Sequence, residues 1–131
     1  MGTYTLLLEC GTAQTVKFGA EGTYEVAEGI FTYTGSVPGE GFSRVRRHWE
    51  VCEGERDVEH WHIDSLLRAD GTRICGVFTT TEDVECAVAK RLPVRRFGTL
   101  GASDCDCETH FGYGEQLDVV GSGVAEVYGS I

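Results

Sequence analysis

The chain has 131 residues and carries 21 Asp and Glu against 11 Lys and Arg, for a formal net charge of −10. That length fits one domain, whose single core removes roughly two-thirds of the unfolded surface from water. A 41% hydrophobic and 24% charged composition is that of a soluble globular protein, and 18 glycines beside 2 prolines mean many tight turns rather than low complexity.

Thr3 to Cys10 is a β-branched and leucine-rich run between Gly2 and Gly11, the pattern of a buried strand. Thr15 to Phe18 alternates and makes a short second strand; Glu21-Gly22-Thr23 is a turn, and Tyr24 to Val26 a further short strand. Gly29 to Gly35 puts Ile30, Thr32 and Thr34 on one face and Phe31 and Tyr33 on the other, the period of a strand. A loop over 36–41 follows, and a helix begins at Phe42 or Ser43, with Ser43 as cap and Val45, His48 and Trp49 near helical spacing. Residues 50–59 are polar and read as an exposed loop. Trp61 to Leu67 favours a short helix, Asp70-Gly71 a turn, and Arg73 to Thr80 another strand. Thr81 offers an N-cap to a helix that opens with Glu82 and Asp83, takes its face from Val84, Ala87, Val88, Arg91 and Leu92, and stops at Pro93. Residues 95–110 are glycine-rich and aperiodic, a loop of the functional or pinned kind. The tail carries little helix signal, and residues 119–131 form a late strand or fray.

The acidic balance is unusual in kind. Only Lys17 and Lys90 are lysines, and the other nine basic residues are arginines. An acidic, lysine-poor surface suits a high-salt, halophilic cytoplasm of archaeal type, where carboxylates hold water and screening suppresses their repulsion; a plain acidic protein is the alternative. No basic and apolar leader opens the sequence, and Leu6-Leu7-Leu8 is far too short to span a membrane. The six cysteines are therefore expected as reduced thiols of a cytoplasmic protein, with Cys10, Cys75 and Cys86 as small core residues. Net negative charge argues against nucleic acid as a partner, but Arg44, Arg46, Arg47 and His48 cluster, as do Arg91, Arg95 and Arg96. Two basic patches on an acidic body suffice to engage phosphates.

The stretch from Gly29 to His48 carries the most chemistry. A strand bearing Phe31 and Tyr33 leads through a turn to a helix with Arg44 and, one turn later on the same face, His48. A phenol, a guanidinium and an imidazole in one cleft are parts that phosphodiester hydrolysis needs, with a carboxylate such as Glu85 for a metal ion. The plainer reading is an aromatic strand packed on an arginine-bearing helix, with Glu85 on a solvated face. His60-Trp61-His62-Ile63-Asp64 offers either a ligand pair or a buried polar cluster around Trp61. Cys105, Cys107 and His110 have donors that zinc favours, although the Cys spacing is narrow and a fourth ligand is needed; reduced thiols pinning a loop are the alternative. Asp104 and Asp106 suit a hard metal instead.

Gly29-Ile30-Phe31 followed by Tyr33-Thr34-Gly35 resembles, in compressed form, the two tripeptides of the GIY-YIG nuclease superfamily. Arg44 stands where that family has its helix arginine, His48 where many members have His or Tyr, and Glu85 where the family has its metal-binding glutamate. Tyr4-Thr5-Leu6-Leu7-Leu8, Gly35-Ser36, Arg47-His48, His60 to Asp64, Glu85-Cys86-Ala87, Phe97-Gly98, Ser103 to Cys107 and His110 resemble the small Uri-type proteins, catalogued as domain of unknown function 123. The resemblance covers residues 3–113, leaving 114–131 as a C-terminal extension of one domain. It implies an α+β fold: a small central, mostly antiparallel sheet flanked by two or three helices. It implies a metal-dependent DNA endonuclease, plausibly in DNA repair beside an endonuclease III-type glycosylase. In that reading Glu85 holds Mg2+ or Mn2+, Tyr33 and His48 handle water, and Arg44 clamps the phosphate. Ser36, Arg46, Arg47, Arg95 and Arg96 contact DNA, while Phe31, His60, His62, Asp64 and Asp104 line the site. One departure stands out: Phe31 occupies the place of a tyrosine. The rival readings are a catalytically weakened nucleic-acid-binding or adaptor module, and an interaction domain stabilised by Zn2+ at Cys105, Cys107 and His110.

Overall fold

The structure, a computed structural model, describes residues 2–18, 22–37, 43–56, 62–96 and 110–131. Its elements in chain order are β1 (Gly2–Cys10), β2 (Gln14–Lys17), β3 (Thr23–Val26), β4 (Gly29–Val37), α1 (Ser43–Cys52), α2 (His62–Leu67), β5 (Thr72–Thr80), α3 (Glu85–Arg91), β6 (Arg95–Arg96), β7 (Phe111–Gly114) and α4 (Leu117–Gly129). Five strands form one antiparallel sheet in the order β5-β1-β4-β7-β6, and β2 and β3 make a separate hairpin. The α+β class is as the sequence implies.

Strand β1 lies inside the sheet, and every residue from Gly2 to Leu8 is buried. Its apolar run is unbroken because both faces of the sheet are covered. Tyr4, Leu6, Leu8 and Cys10 point to one side, where they meet Phe31 and Val37 of β4, Val51 of α1, Ile63, Leu66 and Leu67 of α2, and Val16, Phe18 and Val26 around the hairpin. Leu7 and Ile30 point to the other, where Val88 and Leu92 of α3 and Val120, Val124 and Val127 of α4 close a second core. The alternation read from Gly29 to Gly35 therefore corresponds to two real faces.

Among the described residues four helices accompany the sheet where two or three are expected, and the additional one is in the tail. Residues 119–131, expected as a late strand or frayed end, belong almost entirely to α4, Leu117–Gly129. Its three glycines and several valines lower intrinsic helix propensity, which is why the pattern conceals it. Packing overrides propensity: Val120, Val124 and Val127 recur at helical spacing and are buried. Glycine serves that packing at position 123, where a Cβ would collide with Pro93. The aperiodic stretch of residues 95–110 begins in a strand: Arg95–Arg96 pair as β6 with β7, Phe111–Gly114, just after its end. Residues 97–109 lie outside the described part.

Helix α3 begins later than expected. Thr81 does not cap it, and no side chain of the flanking residue Val84 does so. Thr3 of β1 takes that place: its Oγ1 accepts from Val84 N at 2.9 Å and donates to Glu82 O at 2.9 Å. Glu85, expected one turn inside the helix, is consequently its first residue, held against the sheet by a strand about 80 positions away in sequence.

Candidate active site and metal centre

Register sets the site. In the β1–β4 pair Tyr4 stands opposite Gly35, Leu6 opposite Tyr33 and Thr3 opposite Ser36. Tyr4 and Tyr33 consequently project from adjacent strands on the same face, with ring centroids 6.2 Å apart. Gly35 makes the approach feasible, since a Cβ there would lie 2.6 Å from Tyr4 Cζ. Helix α1 lays His48 over both rings. Tyr4 Oη and His48 Nε2 are 2.6 Å apart, and the His48 ring sits edge-on to Tyr33 at 5.8 Å.

Gly29-Ile30-Phe31 is structural: Gly29 has φ 145°, where a side chain would be strained and would strike Tyr113 Oη at 2.7 Å. Phe31 is fully buried against Tyr113, with centroids 4.9 Å apart. A buried hydroxyl stands on the same face in Tyr4, a residue the pattern assigned only to the core. Gly2-Thr3-Tyr4 pairs with Val37-Ser36-Gly35, which sets Tyr4 beside Gly35.

Electrostatics divides the labour in the cluster. Burial, then the Arg47 and Arg44 charges, lower the His48 pKa from 6.5 to about 4, with Asp64 opposing, so the imidazole is neutral near pH 7. Burial pushes Tyr33 up to about 12, and the Glu85 carboxylate is the next largest cause. Tyr4 is raised further still, again chiefly by burial, with Tyr33 next. Both phenols are thus protonated and neutral, and both sense Glu85. The structure brings Tyr33, Arg44, His48 and Glu85 into one electrostatic neighbourhood.

The arginines separate by partner. Arg44 Nη1 donates to the Ser36 carbonyl at 3.2 Å and Oγ at 3.3 Å, so Ser36 props Arg44. Arg47 donates from both Nη atoms to the two oxygens of Asp64, at 2.7 and 2.8 Å. Asp64 is fully buried and Arg47 half-buried, and the two bonds tie that guanidinium to α2. A phosphate reaching Arg47 would have to compete with that bidentate carboxylate. Arg46 is exposed, and with Ser43, Arg44, Arg47, Glu50 and Arg56 it lines an open groove of about 470 Å³. Arg95 stacks 5.3 Å over Tyr113, opposite Phe31 and away from the Ser36 end of β4. His62 opens α2 and is half-buried. His60, Asp104, Cys105, Cys107 and the Arg96 side chain lie outside the described residues.

A second set of donors meets at Glu85. His110 Nε2 is 3.7 Å from Glu85 Oε1 and 3.9 Å from Cys86 Sγ. The three donor atoms all lie within 4.8 Å of one another. His110 is pinned by its backbone, whose carbonyl accepts from Thr34 N at 3.1 Å where β7 begins. Cys86, expected as a core residue, is instead half-exposed beside two metal-binding side chains. The sequence offered no cue for it beyond its adjacency to Glu85.

Residues 3–130 match the family model described as domain of unknown function DUF123. The chain belongs to the DUF123 family. No curated protein and no solved structure matches it. The DUF123 match runs through α4, the helix that closes the second core. In this DUF123 chain no described helix is long and apolar enough to cross a membrane.

Proposed function

We propose that this DUF123 chain is a divalent-metal-dependent endonuclease of the GIY-YIG type, Uri branch, that hydrolyses phosphodiester bonds in DNA, in the setting of repair. The observation that carries the reading is the convergence of Tyr4, Tyr33, His48, Arg44 and Glu85 from two strands and two helices.

Hydrolysis forms a bond from a water oxygen to phosphorus and breaks the scissile P–O bond. Tyr33 and Tyr4, both protonated, orient the water. His48, neutral near pH 7 and bonded to Tyr4 Oη, accepts the proton by way of that phenol. A pKa of about 4 makes His48 a weak base, and an incoming phosphate strengthens it by offsetting the charges of Arg47 and Arg44. Arg44, held by Ser36, binds the phosphate and meets charge as it develops. Arg46 steers the flanking backbone. The donor set around Glu85 fits a divalent cation, and such an ion would supply charge neutralisation at the phosphate. Mg2+ or Mn2+ is the ion that the resemblance implies.

The reading of a weakened binding module rests on Phe31 standing in for a hydroxyl. Tyr4 supplies that hydroxyl from another strand, which favours catalysis. The test is a nicking assay over intact, mismatched and base-damaged DNA with Mg2+ or Mn2+. Tyr4→Phe and Glu85→Ala are each expected to lower cleavage by about 10²-fold or more, whereas Phe31→Tyr leaves it unchanged. A folded protein that nicks none of these substrates, or a Glu85→Ala chain as active as the parent, removes the enzyme reading.

A further inference from the structure

Carboxylate, thiol and imidazole converge where Glu85, Cys86 and His110 meet, with His110 Nε2 3.7 Å from Glu85 Oε1. Two ligands of one tetrahedral Zn2+, bound at about 2.0–2.3 Å each, are separated by about 3.5 Å. The His110–Glu85 gap of 3.7 Å and the His110–Cys86 gap of 3.9 Å lie near that value, and the third pair is within 4.8 Å. A few tenths of an ångström of closure in two pairs, and more in the third where it reaches that limit, brings the donors around one ion. The supports are firm: His110 is fixed by β7, and Glu85 and Cys86 by the first turn of α3, which Thr3 ties to β1.

We propose that Glu85, Cys86 and His110 form a three-ligand site for a borderline divalent ion of the Zn2+ class, with Co2+ as its spectroscopic stand-in. Thiolate and imidazole select such ions, whereas Mg2+ is served by oxygen donors and water. Three protein ligands leave the fourth position to water or to a substrate oxygen, the arrangement of a catalytic rather than a structural zinc site. The Glu85 carboxylate is among the charges that raise both the Tyr33 and the Tyr4 phenol. The inference concerns metal binding and stands apart from the nuclease reading, although it names that reading's ion.

The experiment is Co2+ titration of the chelator-treated, reduced full chain, followed by absorbance. One equivalent is expected to give the visible bands of four-coordinate cobalt and a near-ultraviolet thiolate charge-transfer band. Cys86→Ser, nearly isosteric, abolishes the charge-transfer band and weakens Co2+ and Zn2+ by about 10²-fold, and His110→Ala weakens both similarly. Cys75→Ser changes neither. Circular dichroism of each variant establishes that it is folded, and a rise in the melting temperature of the parent with Zn2+ gives a second readout. A band that survives Cys86→Ser, or one lost instead in a Cys105→Ser, Cys107→Ser chain, overturns the proposal, as does a folded parent that binds no Co2+. Cobalt bound through Cys86 in a chain that cuts no DNA overturns the nuclease reading alone. Mg2+-dependent cutting without cobalt binding overturns this inference alone.

Discussion

His48 is where burial and function meet most directly. It has no exposed surface, and its pKa falls from 6.5 to about 4 because burial penalises the charged ring and Arg47 and Arg44 repel it. A depressed pKa contributes stability that is complete above the unfolded value. Below pH 6.5 the unfolded chain takes up a proton that the fold refuses, and the contribution is lost as pH falls toward about 4. The loss over that window is about 3 kcal/mol, at 1.36 kcal/mol per pKa unit. Urea unfolding at pH 7, 5.5 and 4.5 is expected to show the midpoint falling for the parent and falling less for His48→Gln, where no imidazole titrates. At the same scale Tyr4 shows how one residue escapes a pattern. Its apolar neighbours mark a core strand, and only its position opposite Gly35 and beneath His48 marks a site.

Among the elements, α1 and α2 are joined by the Arg47–Asp64 pair, and its energetics follow from burial. Asp64 is wholly enclosed, so removing its partner strands a charge away from water. Arg47→Met is expected to cost about 3–5 kcal/mol, and the double change Arg47→Met with Asp64→Leu less than the single one. Chemical denaturation of the two variants measures the difference; equal losses would mean that the pair is solvated. The same pair explains how the Arg44–His48 segment divides its bonds: Arg44 donates to Ser36 and Arg47 to Asp64 of α2, while both line the groove. Helix α4 makes the other element-scale test. Val120, Val124 and Val127 are each at least 94% buried, at about 1.5–3 kcal/mol apiece. Together they match most of a small domain's net stability of about 5–15 kcal/mol. A chain ending at Glu115 is expected to lose near-ultraviolet circular dichroism and cooperative melting, because Leu7, Ile30, Val88 and Leu92 lose their cover.

Across the whole molecule, net charge of −10 opposes compaction, and only local arginine clusters oppose that charge. Added KCl screens the acidic surface over a Debye length of about 10 Å at 0.1 M and shorter at higher salt. The melting temperature is expected to rise with KCl from low to molar concentration, as measured by differential scanning fluorimetry; a flat or falling curve would contradict a surface adapted to high salt.

Local signals in the sequence determined most of the frame. Strand period showed β1, β4 and β5, turn glycines separated them, and Pro93 ended α3, since each depends on residues within a few positions of one another. Arg44, His48 and Glu85 were legible as chemistry by residue type and spacing. What folding decided was long-range. Tyr4 and His48 are 44 positions apart, and their contact needs the β1–β4 register and the α1 crossing together. Cys86 and His110 met because Thr3 moved the start of α3 and β7 paired with β4. Helix α4 formed against its own propensity because two layers left an apolar face to cover. Arg47 is tied to α2 because the buried Asp64 carboxylate holds its guanidinium by two hydrogen bonds. Local pattern fixes which residues are able to act; only the packed chain selects which of them face one another.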